Sequence, residues 1–218
     1  MPPLHFAGHD FQVAGGKALF LPSRAALIVA DLHLEKASWF AARGQMLPPH
    51  DSMATLSAVA DLVAQTDARE VWCLGDNFHD SDGATRLPAD ARATLARLTD
   101  QLDWVWITGN HDEKLPDIVG GRIVEEADLD GIILRHHADP VDHRPELSGH
   151  FHPKYGGAAR GRRVTRPCFV EGVTKLILPS FGALTGGMAA THPEIIRCIK
   201  KMVAIHVPAG DRLVRFAA

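Results

Sequence analysis

The sequence predicts an α/β protein built as a layered sandwich of sheets and helices. Short, fully apolar runs alternate with amphipathic helical stretches through the first half of the chain. From about residue 132 onward the helical pattern gives way to short β-like runs. The chain has 218 residues, enough for one sizeable core, and no linker divides it, so residues 1–218 are expected to form a single domain.

The elements follow in order. Lys17 to Pro22 and Ala26 to Ala30 read as strands, and the second is apolar throughout, as a strand buried on both faces must be. After Asp31 the pattern is helical to about Arg43, where Gly44 stops it and Pro48-Pro49 opens the next segment. His50 to Gln65 is an amphipathic helix with Met53, Leu56, Val59 or Ala60, and Val63 on one face. Val71 to Leu74 is a buried strand, Ala89 to Leu102 a helix through Ala91, Leu95 and Leu98, and Trp104 to Thr108 the next strand. Such alternation implies parallel strands joined by right-handed crossovers. After Ile132 to Leu134 come Cys168 to Val170, Lys175 to Leu178, Met202 to Val207 and Arg212 to Phe216, which read as an antiparallel meander closing a second sheet. Gly156 to Arg163 reads as a loop or hairpin. Pro179-Ser180-Phe181-Gly182 is a turn, and Thr185-Gly186-Gly187 a further loop.

Composition narrows the function. Hydrophobic residues make up 46% and charged residues 22%, ordinary for a soluble globular protein. Lys and Arg number 23 against 26 Asp and Glu, a net charge of −3, so no global basic field advertises a nucleic acid, although a local basic patch is allowed. The cysteines, Cys73, Cys168 and Cys198, are odd in number and scattered, which fits a reducing cytoplasm rather than a disulfide framework. No signal peptide is read at the N-terminus, and the longest apolar run, Ala25 to Ala30, is far too short to span a bilayer. The expected setting is cytoplasmic, with no membrane partner.

Thirteen histidines are many for this length, and several fall in an ordered set of motifs. These are Asp31-Leu32-His33, Gly75-Asp76-Asn77, Gly109-Asn110-His111-Asp112, His136-His137 and Gly149-His150-Phe151-His152. Each alone has a plain reading. Gly-Asp after a strand is commonly a turn, Gly-Asn-His-Asp an Asx turn, and Gly-His-x-His a surface hairpin. The ordered combination at or near strand ends is what outweighs those readings, because the carboxyl ends of parallel strands converge and ligands bind there. Carboxylates, imidazoles and a carboxamide without thiolate suit first-row divalent metals held side by side and disfavour structural zinc; Mn²⁺, Fe and catalytic Zn²⁺ all fit. Asp31 and His33 can address one ion, His150 and His152 one each, and Asp76 is a candidate bridge. His111 should stand near the metals and can protonate a leaving oxygen, with Asp112 holding its other ring nitrogen. His79, three residues after Asp76, is a candidate substrate contact; support of a ligand carboxylate or simple solvation are its alternatives. His5, His9, His50, His143, His192 and His206 lack a partner pattern and read as structural or surface residues.

These five blocks resemble the calcineurin-like metallophosphoesterase superfamily. The resemblance implies a four-layer αββα sandwich, a double β-sandwich flanked by helices. By the same resemblance one metal takes Asp31, His33, Asp76 and His152, and the other takes Asp76, Asn110, His136 and His150, while His111 assists departure of the leaving group. His136 is preferred to His137 because the ligand usually follows the strand at once. A narrower likeness covers nearly the whole chain. Asp31-Leu-His-Leu-Glu-Lys-Ala, Gly75-Asp-Asn-Phe-His-Asp, Leu134-Arg-His, Gly149-His-Phe-His-Pro and Leu178-Pro-Ser-Phe-Gly-Ala-Leu-Thr-Gly-Gly resemble the bacterial ligase-associated DNA damage response metallophosphoesterases. That family implies a Mn²⁺-dependent phosphodiesterase and DNA endonuclease, functionally associated with a DNA ligase, a helicase and an exonuclease. One departure is His137, where the family pattern has Glu.

The expected chemistry is in-line attack on phosphorus by a metal-bound hydroxide. For the substrate, Lys154, Arg160, Arg162, Arg163 and Arg166 follow the last histidine block and form either a solvated hairpin or an arm contacting the phosphates of single-stranded DNA. Arg160, Arg162 and Arg163 are the chosen substrate contacts, and Tyr155 or Trp39 offers a ring on which an unpaired base could stack. The competing classes are a hydrolase of small nucleotide diesters or phosphomonoesters, and a non-catalytic scaffold of the same fold. A scaffold would be expected to lack part of the ligand set or the Asn-His pair, and both are present here.

Overall fold

A computed structural model describes residues 1–111, 119–159 and 161–217. The first sheet has seven strands in sequence order: β1 (Pro3–Phe6), β2 (His9–Ala14), β3 (Ala18–Leu21), β4 (Ala26–Val29), β5 (Glu70–Leu74), β6 (Asp103–Ile107) and β7 (Arg122–Val124). β1 to β4 run antiparallel, whereas β4, β5, β6 and β7 are parallel. The parallel part is the strand–helix alternation legible in the sequence. Its helices are α1 (Lys36–Ala41), α2 (Asp51–Thr66), α3 (Gly83–Arg86) and α4 (Ala89–Gln101).

The second sheet joins β8 (Ala127–Leu129), β9 (Ile132–Leu134), β10 (Glu146–Ser148), β13 (Phe169–Gly172), β14 (Lys175–Ile177), β15 (Met202–Ala209) and β16 (Arg212–Ala217) in the order β16-β15-β13-β14-β10-β9-β8. Between β10 and β13 the chain makes a separate hairpin of β11 (Lys154–Ala159) and β12 (Arg162–Pro167). A seven-residue helix, α5 (Pro193–Ile199), precedes β15.

Strand alternation sorts side chains into four layers. Leu27, Val29, Val71, Cys73, Trp104 and Trp106 face Leu56, Val59, Leu62, Leu95 and Leu98 of α2 and α4. The opposite side chains, Ile28, Trp72, Leu74, Val105 and Ile107, meet Leu134, Leu147, Phe169, Leu176 and Leu178 of the second sheet. The outer face of that sheet, through Val170 and Ile177, packs on Ile195, Cys198 and Ile199 of α5. The order helix, sheet, sheet, helix is the αββα sandwich that the resemblance implies. Both faces of each central strand are apolar because both face a packed layer.

Two sequence readings are corrected, and some elements are additional to them. The helix after Asp31 begins only at Lys36, because Asp31, His33 and Glu35 have φ of 53°, 45° and 64°, which no right-handed helix accommodates. The second sheet is mixed rather than an antiparallel meander: β10 runs parallel to β9, which a loop rather than a tight turn joins to it, and parallel to β14, from which the β11–β12 hairpin and β13 separate it in the chain. Three-residue strands such as β10 are too short to show a period, and the N-terminal strands β1 and β2 were not read. α5 went unread too; it starts with Pro193 at its first turn and is capped by His192, whose ring accepts from the Glu194 N–H.

Candidate metal centre

The loops that carry the motifs leave the carboxyl ends of five strands. Asp31 follows β4, Asp76 follows β5, Asn110 follows β6, His136 follows β9 and His150 follows β10. The loops are laced by backbone bonds. Asp31 N–H donates to Gly75 O at 3.2 Å, His33 N–H to Asp76 O at 2.9 Å, and Gly149 N–H to His136 O at 2.9 Å.

The motif glycines exist for this close approach. A Cβ on Gly75, which has φ +72°, would lie 2.4 Å from the His136 ring. One on Gly109 would lie 2.2 Å from the Asp76 nitrogen, and one on Gly149 would lie 2.5 Å from Asp31 Oδ2. The strain falls on the polar neighbours instead. Asp31, His33, Asp76, His150 and His152 all have positive φ, between 45° and 71°. Each such turn costs about 1–2 kcal/mol and persists because the surrounding lacing over-determines it.

Three groups of donor atoms converge among the described residues: Asp31 with His33 and His152, Asp76 with His136 and His150, and, at the rim, His33 with His79 and His111. In the first, His33 Nε2 lies 3.2 Å from His152 Nε2, which in turn lies 3.5 Å from Asp31 Oδ1. In the second, His136 Nε2 lies 2.9 Å from Asn110 Oδ1, 3.1 Å from His150 Nδ1 and 3.3 Å from Asp76 Oδ1. Asp76 stands between the groups: its other oxygen, Oδ2, lies 3.8 Å from His33 Nε2. Asp31 is oriented by the His150 N–H, 3.0 Å from each of its oxygens.

The donors fit divalent ions. His136 donates its Nδ1 proton to Leu74 O, 3.1 Å away, so its Nε2 lone pair faces the oxygens of Asn110 and Asp76. Acceptors aimed at one another repel unless a cation or a proton lies among them, and a backbone carbonyl on the far nitrogen is the usual support of a ligating imidazole. Burial favours the neutral form of two of these rings, His33 and His150. It lowers His33 to about 2, with the His152 charge adding to the effect. It lowers His150 to about 4, helped by His136. Burial also pushes Asp76 above its ordinary value, against the pull of His136 and together with Asp31, so the pair of buried carboxylates favours a positive partner.

His111 borders this centre. Its backbone N–H donates to Asp76 Oδ1 at 3.1 Å, its Nε2 lies 3.8 Å from Asp76 Oδ2, and its side chain is 40% exposed. Its Nδ1 donates to His79 O at 2.8 Å, which takes the place expected for Asp112; Asp112 itself lies outside the described residues. His79 stacks on His111, with centroids 5.5 Å apart, and its ring also meets Trp39 at 5.0 Å. Burial lowers it to about 4, with Lys36 contributing next. His136 turns into the centre, whereas His137 is exposed against His150 and Phe151.

The basic segment is the β11–β12 hairpin, with Arg162 opposite Ala159 and Arg163 opposite Ala158; Arg160 lies outside the described residues. Neither stacking candidate presents two bare faces. Tyr155 stacks on Phe216 at 4.4 Å, and the Arg43 guanidinium sits 3.6 Å from the Trp39 centroid. Sequence reasoning missed the Pro179–Gly187 segment as part of the centre. Ser180 Oγ donates to Asp31 O at 2.8 Å, and Phe181 N–H to Ala30 O at 2.8 Å, so this segment straps the Asp31 turn. The run Pro-Ser-Phe-Gly was the available signal. Among the described residues no helix is long and apolar enough to cross a membrane.

Strand-end carboxylates and imidazoles on an αββα sandwich define a phosphoesterase class, and the comparisons agree. The family model for calcineurin-like phosphoesterases matches residues 26–179, and the chain belongs to that family of metal-dependent phosphoesterases. Among solved structures it is similar to the Pseudomonas putida nuclease MPE, at 30% identity over 98% of each chain with a TM-score of 0.73. It is more distantly similar to Yfce, a phosphoesterase from E. coli, at 15% identity over 88% of this chain and 98% of that one, with a TM-score of 0.44. No curated protein matches it.

Proposed function

We propose that the protein is a binuclear-metal phosphodiesterase that cleaves DNA strands internally, with Mn²⁺ as its working ion, in DNA repair. The observation that carries this reading is the 30% identity to the P. putida nuclease, extending over 98% of both chains. One ion is assigned to Asp31, His33, Asp76 and His152, the other to Asp76, Asn110, His136 and His150, with one Asp76 oxygen toward each group. A bound pair of divalent ions lowers the pKa of water and offsets charge on the phosphate oxygens.

The chain's residues do the rest. Asp31, oriented by the His150 N–H, and Asp76 hold the centre's negative charge. His111, anchored through Nδ1 to the His79 carbonyl, presents Nε2 at the exposed rim, where it gives a proton to the departing oxygen. His79 fixes that ring from behind and lines the same rim. Arg160, Arg162 and Arg163 are the proposed contacts to phosphates of single-stranded DNA. A cytoplasmic setting agrees with the three scattered, buried cysteines Cys73, Cys168 and Cys198, and functional association with a ligase, a helicase and an exonuclease belongs to the same reading.

The test is cleavage of circular single-stranded DNA by metal-stripped protein resupplied with Mn²⁺, beside a model diester. A cut circle establishes an endonuclease, because the circle has no ends. An intact circle with an active model diester overturns the nuclease reading in favour of small phosphodiesters.

A further inference from the structure

Beside the Asp31–His33–His152 group lies a pocket of about 220 Å³ that the metal chemistry does not use. His152 forms one wall. Lys154, Lys17 from the β2–β3 turn, Ser180 and Thr185 from the strap, and Thr165 from β12 line the others, and among the described residues no carboxylate lines it. Lys17 Nζ donates to the carbonyls of Phe181 at 3.3 Å and Gly182 at 3.4 Å, and Lys154 Nζ to that of Thr185 at 3.4 Å. An ammonium has three donors, so one on Lys17 and two on Lys154 are left over among the described contacts. Burial first, and the Lys154 charge second, lower Lys17 below its ordinary value, as expected of two cations sharing a confined space without an anion.

The strap explains why the pocket sits there. Its carbonyls fix both ammoniums, while its own Ser180 hydroxyl and Phe181 N–H are tied to the Asp31 turn. The lysines are thereby held in register with the ligand loop rather than free on a surface. Cation, hydroxyl and missing acid are the recognition chemistry of a phosphate.

We propose that this pocket is an anion subsite for the phosphate next to the one being hydrolysed, so that the protein reads two consecutive phosphates of a strand; this rests on the nuclease reading above. The subsite, rather than the metal centre, then sets the preference for polynucleotide over single-phosphate diesters.

The test compares dithymidylate with its 5′-phosphorylated and 3′-phosphorylated forms, because a strand can cross the centre in either direction. Wild-type protein should favour one phosphorylated form in kcat/KM by about tenfold or more, and Lys17→Met with Lys154→Met should bring that ratio close to one. Lys17→Arg should keep it. A wild type without preference, or a preference untouched in the double variant, overturns the subsite; the lysines would then only clamp the strap. A second readout needs no turnover. Inorganic phosphate should raise the melting temperature of metal-chelated wild type above that in chloride of equal ionic strength, and not that of the double variant. Equal shifts in both overturn the proposal. If wild type cleaves a model diester but no dithymidylate, the nuclease reading fails by itself, and the phosphate titration decides the subsite alone: lysine-dependent stabilisation upholds it, and its absence overturns it.

Discussion

The loops after β4, β5 and β6 and the loops after β9 and β10 obey one positional rule with different chemistry. Asp31 and Asp76 stand two residues past β4 and β5, and His136 and His150 stand two residues past β9 and β10. The first sheet therefore supplies the carboxylates and the Asn110 carboxamide, and the second supplies three of the imidazoles. Neither sheet alone carries a complete donor set. The Asp76 group needs His136 and His150 across the sheet–sheet contact, and the Asp31 group needs His152. The centre is thus a property of how the sheets pack.

The largest break comes from Asp76, the carboxylate proposed to serve both ions, whose two oxygens face His136 and His33. Asp76→Asn should cost about a thousandfold in turnover, or about 4 kcal/mol of transition-state stabilisation. His152→Gln, which touches a single group, should cost less. Turnover of a model diester with metal content by elemental analysis checks this; equal losses would mean that Asp76 is not shared. Next in size is His111→Ala, expected to keep both ions yet lose about a hundredfold in diester turnover. Full activity in that variant would remove His111 from the chemistry.

Packing gives a smaller effect. Gly149→Ala puts a Cβ against Asp31, whereas Gly156→Ala on β11 meets nothing within 4 Å. The first should lose about 2 kcal/mol of stability and metal affinity with it, while the second should lose neither; denaturant titration separates them. A pH titration sharpens the same contrast. His150 and His79 are held from the ordinary 6.5 down to about 4, so the unfolded chain binds protons first. Metal-free stability should therefore be level above about 6.5 and fall as pH drops from there toward about 4, as thermal melts would record. His150→Gln should flatten part of that fall. Smallest of all, replacing Arg160, Arg162 and Arg163 by Ala should flatten the salt slope of single-stranded DNA binding by about 0.7 per arginine. An unchanged slope would return the hairpin to plain surface.

Legibility in the sequence followed element length. β4, β5 and β6 were readable because each is an apolar run preceded by or feeding a helix of several turns, and their ends marked Asp31, Asp76 and Asn110. β9 and β14 were readable as the apolar runs Ile132 to Leu134 and Lys175 to Leu178, whereas β8 and β10 are three residues each with no period to separate them from loop, and the parallel register of β10 with β9 and β14 is not legible in any one segment. The start of α1 was placed too early because positive φ at Asp31, His33 and Glu35 leaves no mark in the hydrophobic pattern. The carbonyl of His79 on His111 was unreadable for a related reason: any residue carries a carbonyl, so sequence cannot say which one arrives.

By itself the sequence determined the layered α/β class, the ends of β4, β5 and β6, and the family, because apolar period and ordered polar motifs are local. Tertiary structure alone decided the mixed second sheet, the turn of His136 inward and His137 outward, the placing of Asp76 between two donor groups, and the strapping of Lys17 and Lys154 beside His152. Those depend on distances between segments far apart in the chain, and such distances are set by the packing of one sheet on the other.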